Sequence, residues 1–139
     1  EAVTKETDRE LLELAAKAAE VFLTPEQFAK ECTSPWEPRM EPFYDERRGV
    51  MAGHRTWYGS DGEIGGWERF DWSPLTDDGD ALRLLNSLEL ELRHVHGAAH
   101  AGLAGRFWCT ESWFPSDDKH AATRRAVLRA AAEIGRAMP

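Results

Sequence analysis

Apolar positions recur along this chain with two different rhythms. Leu11, Leu14, Ala15, Ala18, Val21 and Phe22 follow helical spacing, which predicts an amphipathic helix over 8–22. Thr7-Asp8-Arg9-Glu10 ahead of it has the capping-box form, a hydroxyl three residues before a carboxylate. Thr24-Pro25-Glu26-Gln27 then restarts a short helix with proline at its first position, ending near Cys32. Val50 to Tyr58 and Glu63 to Phe70 read as paired strands joined by the turn Gly59-Ser60-Asp61-Gly62. Gly65-Gly66 marks a bulge in the second of them.

Helical signals return at Thr76, an expected N-cap for a helix over 77–87 with Asp77, Asp78 and Asp80 at its positive end. The period then drops to two. Leu88, Leu90 and Leu92 alternate with Glu89, Glu91 and Arg93, the pattern of a half-buried strand running to His96. Gly97 to Gly105 reads as a loop, and Arg106 to Ser112 as the returning strand. Alternation puts Phe107, Cys109 and Glu111 on one face of that strand and Trp108 and Thr110 on the other. Ser116 is the expected cap of the last helix. Its apolar stripe is Val127, Ala130, Ala131, Ile134 and Met138, and Arg125, Arg129 and Arg136 form a solvated polar face.

Residues 33–49, with Pro35, Pro38 and Pro42, read as irregular chain held down by Trp36, Phe43 and Tyr44. The fold class is therefore α+β: one antiparallel sheet of two hairpins, about four strands, covered by three main helices. At 139 residues this is the size of a single domain. Folding at that length buries roughly 68% of the surface an unfolded chain exposes, so neither disulfides nor a structural metal is needed.

Charge narrows the function classes. The net charge is −8, and residues 1–80 hold 19 acidic against 9 basic residues while 81–139 hold 6 against 8. An acidic surface is repelled by phosphate backbones, so direct nucleic-acid binding is not expected and a partner with a basic surface is. Two cysteines, Cys32 and Cys109, do not make a secreted disulfide framework and read as reduced, buried thiols. No apolar run reaches the ~20 residues of a membrane span, and the charged start shows no signal peptide. The expected location is the cytoplasm.

Trp72-Ser73-Pro74-Leu75-Thr76-Asp77-Asp78-Gly79-Asp80-Ala81-Leu82-Arg83-Leu84 and the Ala/Arg-rich run from His120 to Gly135, with Leu14 to Ala19, have a familiar look. In these segments the chain resembles small bacteriophage and prophage proteins of the αβα-sandwich type. The resemblance covers about half of the chain and implies a sandwich-like fold, but no activity. Residues 24–56 depart from the family's pattern and read as an insertion particular to this member. The Trp72 segment itself reads as a structural turn and cap, because its acids lack the spacing that wraps a calcium ion.

Candidate chemistry is sparse. His94 and His96, two apart on an expected strand, point the same way, and His100 in the following loop returns toward them; three imidazoles with an open position would suit a catalytic zinc. Incidental histidines are the simpler reading. No phosphate loop, nucleophile elbow or paired-histidine zinc motif occurs, and Cys109 lies in no nucleophile motif. Of six tryptophans, Trp57, Trp67, Trp72 and Trp108 suit a core. Trp36 and Trp113 suit exposed loops.

The expected function is accordingly non-enzymatic and without a cofactor: a phage-encoded protein that binds a host or phage protein, an inhibitor of a bacterial defence or nucleic-acid-handling system among the possibilities. The expected binding residues are Trp36, Glu37, Glu41, Phe43, Tyr44, Asp45 and Glu46. The alternatives are a metal-dependent enzyme built on His94, His96 and His100, and an accessory structural protein.

Overall fold

The computed structural model describes residues 7–22, 36–58, 64–104, 106–114 and 117–139. Among them the elements run α1 (Asp8–Ala18), β1 (Trp36–Asp45), β2 (Val50–Tyr58), β3 (Ile64–Trp72), α2 (Asp78–Ser87), β4 (Glu91–Val95), β5 (Ala98–Leu103), β6 (Arg106–Ser112) and α3 (Lys119–Ala137). The class is α+β, with two antiparallel three-stranded sheets ordered β1-β2-β3 and β4-β5-β6. No described helix is long and apolar enough to cross a membrane.

The chain forms two compact units, one of Glu1–Ala19 with Ser73–Pro139 and one of Glu20–Trp72. The second unit contains the segment 24–56 read as an insertion. The short helix expected over 24–32 lies outside the described residues.

In the first unit α3 is the central element. It lies against α1, α2, β5 and β6. Being covered from several sides, it buries far more than the one stripe expected of it: Ala122, Ala126, Val127, Leu128, Ala130, Ala131, Ala132 and Gly135. Small side chains make this possible, because they let the neighbouring backbones approach. A Cβ at Gly135 would overlap the Leu14 carbonyl group of α1, so this position admits hydrogen alone. Asp8 pairs with Arg125 at 2.9 Å, and Lys17 donates to the Met138 carbonyl at 3.1 Å. These contacts set α1 parallel to α3.

Local chemistry accounts for the helix ends, with corrections. Thr7 and Glu10 complete the expected capping box of α1. The helix stops four residues earlier than expected, where Glu20 takes a left-handed φ of 51°. Asp77, not Thr76, caps α2, accepting from the Asp80 N–H at 2.8 Å. Thr76 instead donates to the Ser73 hydroxyl at 2.8 Å. Asp80 accepts the Ser73 N–H at 2.9 Å. With Trp72 and Ser73 4% exposed and Pro74 fully buried, the Trp72 segment is a closed structural turn. Asp118, not Ser116, caps α3, and Ser116 lies outside the described residues.

Two strands run through segments expected to be irregular. Residues 97–105, read as a loop, hold β5. Its Ala99 and Ala101 are completely buried, under the helix that their small size admits. The segment 33–49 holds β1, an edge strand paired with β2 from Trp36↔Trp57 to Asp45↔Val50. Its register breaks between Trp36 and Arg39 and between Met40 and Phe43, which is where Pro38 and Pro42 stand. Proline donates no ladder hydrogen bond, so an edge strand accommodates it at such bulges.

Candidate functional site

The clearest concavity lies in the first unit, a cleft of about 480 Å³ between α2, β4 and the start of α3. Ala81, Leu82, Leu85, Leu92 and Val127 give it apolar walls, and Asp78, His94, Lys119, His120, Thr123 and Arg124 add polar groups. Helical spacing along α2 brings Ala81, Leu82 and Leu85 to this side. Leu82 is 58% exposed, an uncovered apolar side chain at an opening.

The polar groups are ordered by short chains of hydrogen bonds. Thr123 donates its hydroxyl to the Lys119 carbonyl at 2.8 Å, and His94 Nε2 stands 2.8 Å from the Thr123 hydroxyl oxygen. The single hydroxyl proton is committed, so His94 Nε2 is the donor and its Nδ1 carries no proton in the neutral ring. Burial, helped by the neighbouring Lys119 charge, holds the His94 pKa below its ordinary value. Trp113 meets the His94 ring edge-to-face at 5.7 Å, and the Lys119 ammonium lies 5.5 Å from the centre of the same indole. Arg124 donates to Asp78 at 2.6 Å and to the Leu75 carbonyl at 2.7 Å.

The histidine constellation is not brought together. Arg93, His100 and Thr110 stand side by side across β4, β5 and β6, whereas His94 is paired with Ala99. His94 therefore shares the helix-covered face with Ala99, Ala101 and Cys109, and His100 lies on the opposite face, 2.8 Å from the Thr110 hydroxyl. The strand ends at Val95, and His96 sits in the turn with a φ of 51°. Alternation stops one residue short of His96. Among the described residues no group of three or more His, Cys, Asp or Glu is placed to hold a metal ion. Cys109 is a buried thiol whose pKa burial pushes up, a poor state for a nucleophile.

The expected protein-binding residues lie in the second unit, on β1 and the turn after it. Trp36, Glu37 and Glu41 fall on β1, and their side chains lie outside what is described. Phe43 is 42% exposed; the Arg69 guanidinium stands 5.6 Å from its ring centre and the His54 ring 6.4 Å. Tyr44 is half-buried and Glu46 exposed. Asp45 is a turn residue, accepting from the backbone N–H groups of Arg47 and Arg48 at 3.1 and 3.2 Å and pairing with Arg69. Arg69 also bonds Asp71 at 2.6 Å, as does Arg48. Two aspartates are matched there by two arginines, so the local surface is less acidic than the composition of the segment.

Other expectations change as well. Trp108 is 40% exposed on the outer face of β6, beside Arg93 at 5.6 Å, rather than in a core. Trp113 is half-buried rather than exposed. Trp72 is in the core, and the side chains of Trp57 and Trp67 are not among those described. Arg125 and Arg129 are not a free solvated face, because both reach Glu111 of β6, at 3.1 and 2.8 Å. Of the cleft's lining only His94 was among the expected site residues. Leu82 and Leu85 stand one turn apart, with Lys119 and His120 far along the chain.

No family model matches the chain, and comparison with curated proteins and solved structures returns no match.

Proposed function

We propose that this chain is a binding protein and that the cleft between α2, β4 and α3 receives an apolar group of its ligand. The observation that carries the reading is the cleft itself. Its volume of about 480 Å³ falls within the ~300–1,000 Å³ of small-ligand sites, and apolar walls with a few ordered polar groups are their usual make-up. The proposal assigns no catalytic step. It is tested by titration with the neutral fluorescent probe N-phenyl-1-naphthylamine. Saturable binding is expected, weakened about fivefold by Leu82→Gln through loss of apolar contact. Leu82 is exposed, so the variant keeps its melting temperature. Absence of saturable binding, or binding indifferent to Leu82→Gln, overturns the reading.

Phe43 favours a second reading, a protein partner at β1 of the other unit. An exposed aromatic flanked by a guanidinium has the character of an interface anchor. The phage resemblance makes a host or phage protein the partner, a component of a defence or nucleic-acid-handling system among them, and a cytoplasmic setting goes with it. Affinity capture with the native chain and with Phe43→Ala tests this. A partner retained equally by both removes Phe43 from the contact.

A further inference from the structure

The polar groups of the cleft are not equally occupied. Arg124 spends its charge on Asp78 and a second donor on the Leu75 carbonyl. Thr123 and His94 satisfy one another and the Lys119 carbonyl. Asp118 is engaged as the cap of α3, accepting the Ala121 N–H at 2.9 Å. Lys119 differs: among the described residues no carboxylate lies within ion-pair distance of its ammonium, which stands over the Trp113 ring. Lys119 lines the same cavity as Leu82, Leu85 and Leu92. His120 adds a second histidine to the lining, and Asp78, the one carboxylate among its described residues, is neutralised by Arg124. The first turn of α3 contributes the positive end of a 19-residue helix.

Resting on the reading of this cleft as a ligand site, we infer that its ligand is a small amphipathic monoanion. The aliphatic or aromatic body lies against Leu82, Leu85 and Leu92, and the negative group beside Lys119. A cationic ligand would meet Lys119 without a free carboxylate to offset it. A neutral one would leave the ammonium as it is. An anion alone gains both the apolar contact and the charge-assisted hydrogen bond.

The test is displacement of N-phenyl-1-naphthylamine by octanoate and by 1-octanol, which share a chain length and differ in head charge. Octanoate is expected to displace the probe at about fivefold lower concentration than octanol, the size of a partly exposed ion pair. Lys119→Gln should erase that preference, measured against each variant's own probe affinity, and Lys119→Arg should keep it. Lys119 is exposed, and unchanged melting temperatures confirm that both variants fold. Equal displacement by the two compounds, no displacement by either, or a preference that survives Lys119→Gln each overturns the monoanion. Failure of the probe itself to bind strikes the cleft reading instead, so the two failures are separable.

Discussion

The two units of this protein are held by different physics. Around α3, stability comes from close approach. Ala126, Leu128, Ala130, Ala131 and Ala132 are wholly buried, and α1 passes so near that Gly135 has no room for a methyl group. In the β1-β2-β3 unit the described side chains show instead a cross-strand charge network, with Arg69 between Asp45 and Asp71 and Arg48 on Asp71. Phe22 meets Phe70 edge-to-face at 6.1 Å. Contacts of the first kind are insensitive to salt and intolerant of added volume. Those of the second kind are the reverse.

Glycine substitutions strike this contrast hardest. Gly135→Ala should cost about 3 kcal/mol, because two helix backbones must separate. Gly49→Ala, where the nearest atom is the Tyr44 hydroxyl at an ordinary 3.8 Å but φ is +66°, should cost about 1 kcal/mol from the left-handed conformation alone. Asn should rescue position 49, being tolerant of that region, and fail at 135. Urea unfolding followed by circular dichroism measures all four. Gly135→Ala at native stability would break the close-packing account.

Caps separate next. Asp77→Ala removes the acceptor for the Asp80 N–H and should cost about 1 kcal/mol. Thr76→Ala loses only one hydroxyl bond within the turn and should cost less, about 0.5 kcal/mol. The reverse order in thermal melts would return the cap to Thr76.

The charge network predicts a smaller, salt-dependent effect. Arg69→Met should lower the melting temperature at low ionic strength and matter less in 1 M salt, where the Debye length is about 3 Å. Gly135→Ala should be equally harmful in both. A salt-independent Arg69→Met would assign that side chain to packing over Phe43 rather than to charge.

The units should also answer to acid at different pH. His94 has a folded pKa below its ordinary value, from burial and then Lys119. The unfolded chain therefore binds more protons over that interval, and stability falls as pH drops below about 6.5. Lys119, Asp78, His120 and Arg124 line the same cavity and set its field. Asp45 is held below the ordinary carboxylate value first by its bond to Arg69. Its contribution is complete above about 3.9 and is lost below it. Melting temperatures between pH 7 and 5.5 should fall less in His94→Gln than in the native chain, and an identical slope would remove His94 from the acid response.

Much of the fold was legible in the residues. The capping box at Thr7, the period-two run ending in Arg93, and the faces of Cys109, Glu111, Trp108 and Thr110 all follow from local spacing. Leu88 and Leu90 misled slightly, since the helix cap at Leu88 and the positive φ of Glu89 lie inside that alternation. The candidate site was far less legible. His94, His96 and His100 look like a cluster in sequence, yet one strand end and one sheet face separate them.

The sequence by itself determined the three described helices, their N-terminal caps to within a residue or two, and the α+β class, because a helix or a hairpin is specified by side chains three, four or two residues apart. Only the tertiary structure decided the rest. Pro38 and Pro42 become compatible with a strand when that strand is an edge with bulges. Ala99 and Ala101 become a strand interior when a helix of alanines lies on them. Arg125 and Arg129 become clamps when Glu111 is brought beneath them. The cleft exists because Lys119 and Leu82, 37 positions apart in the chain, line one space that no local pattern encodes.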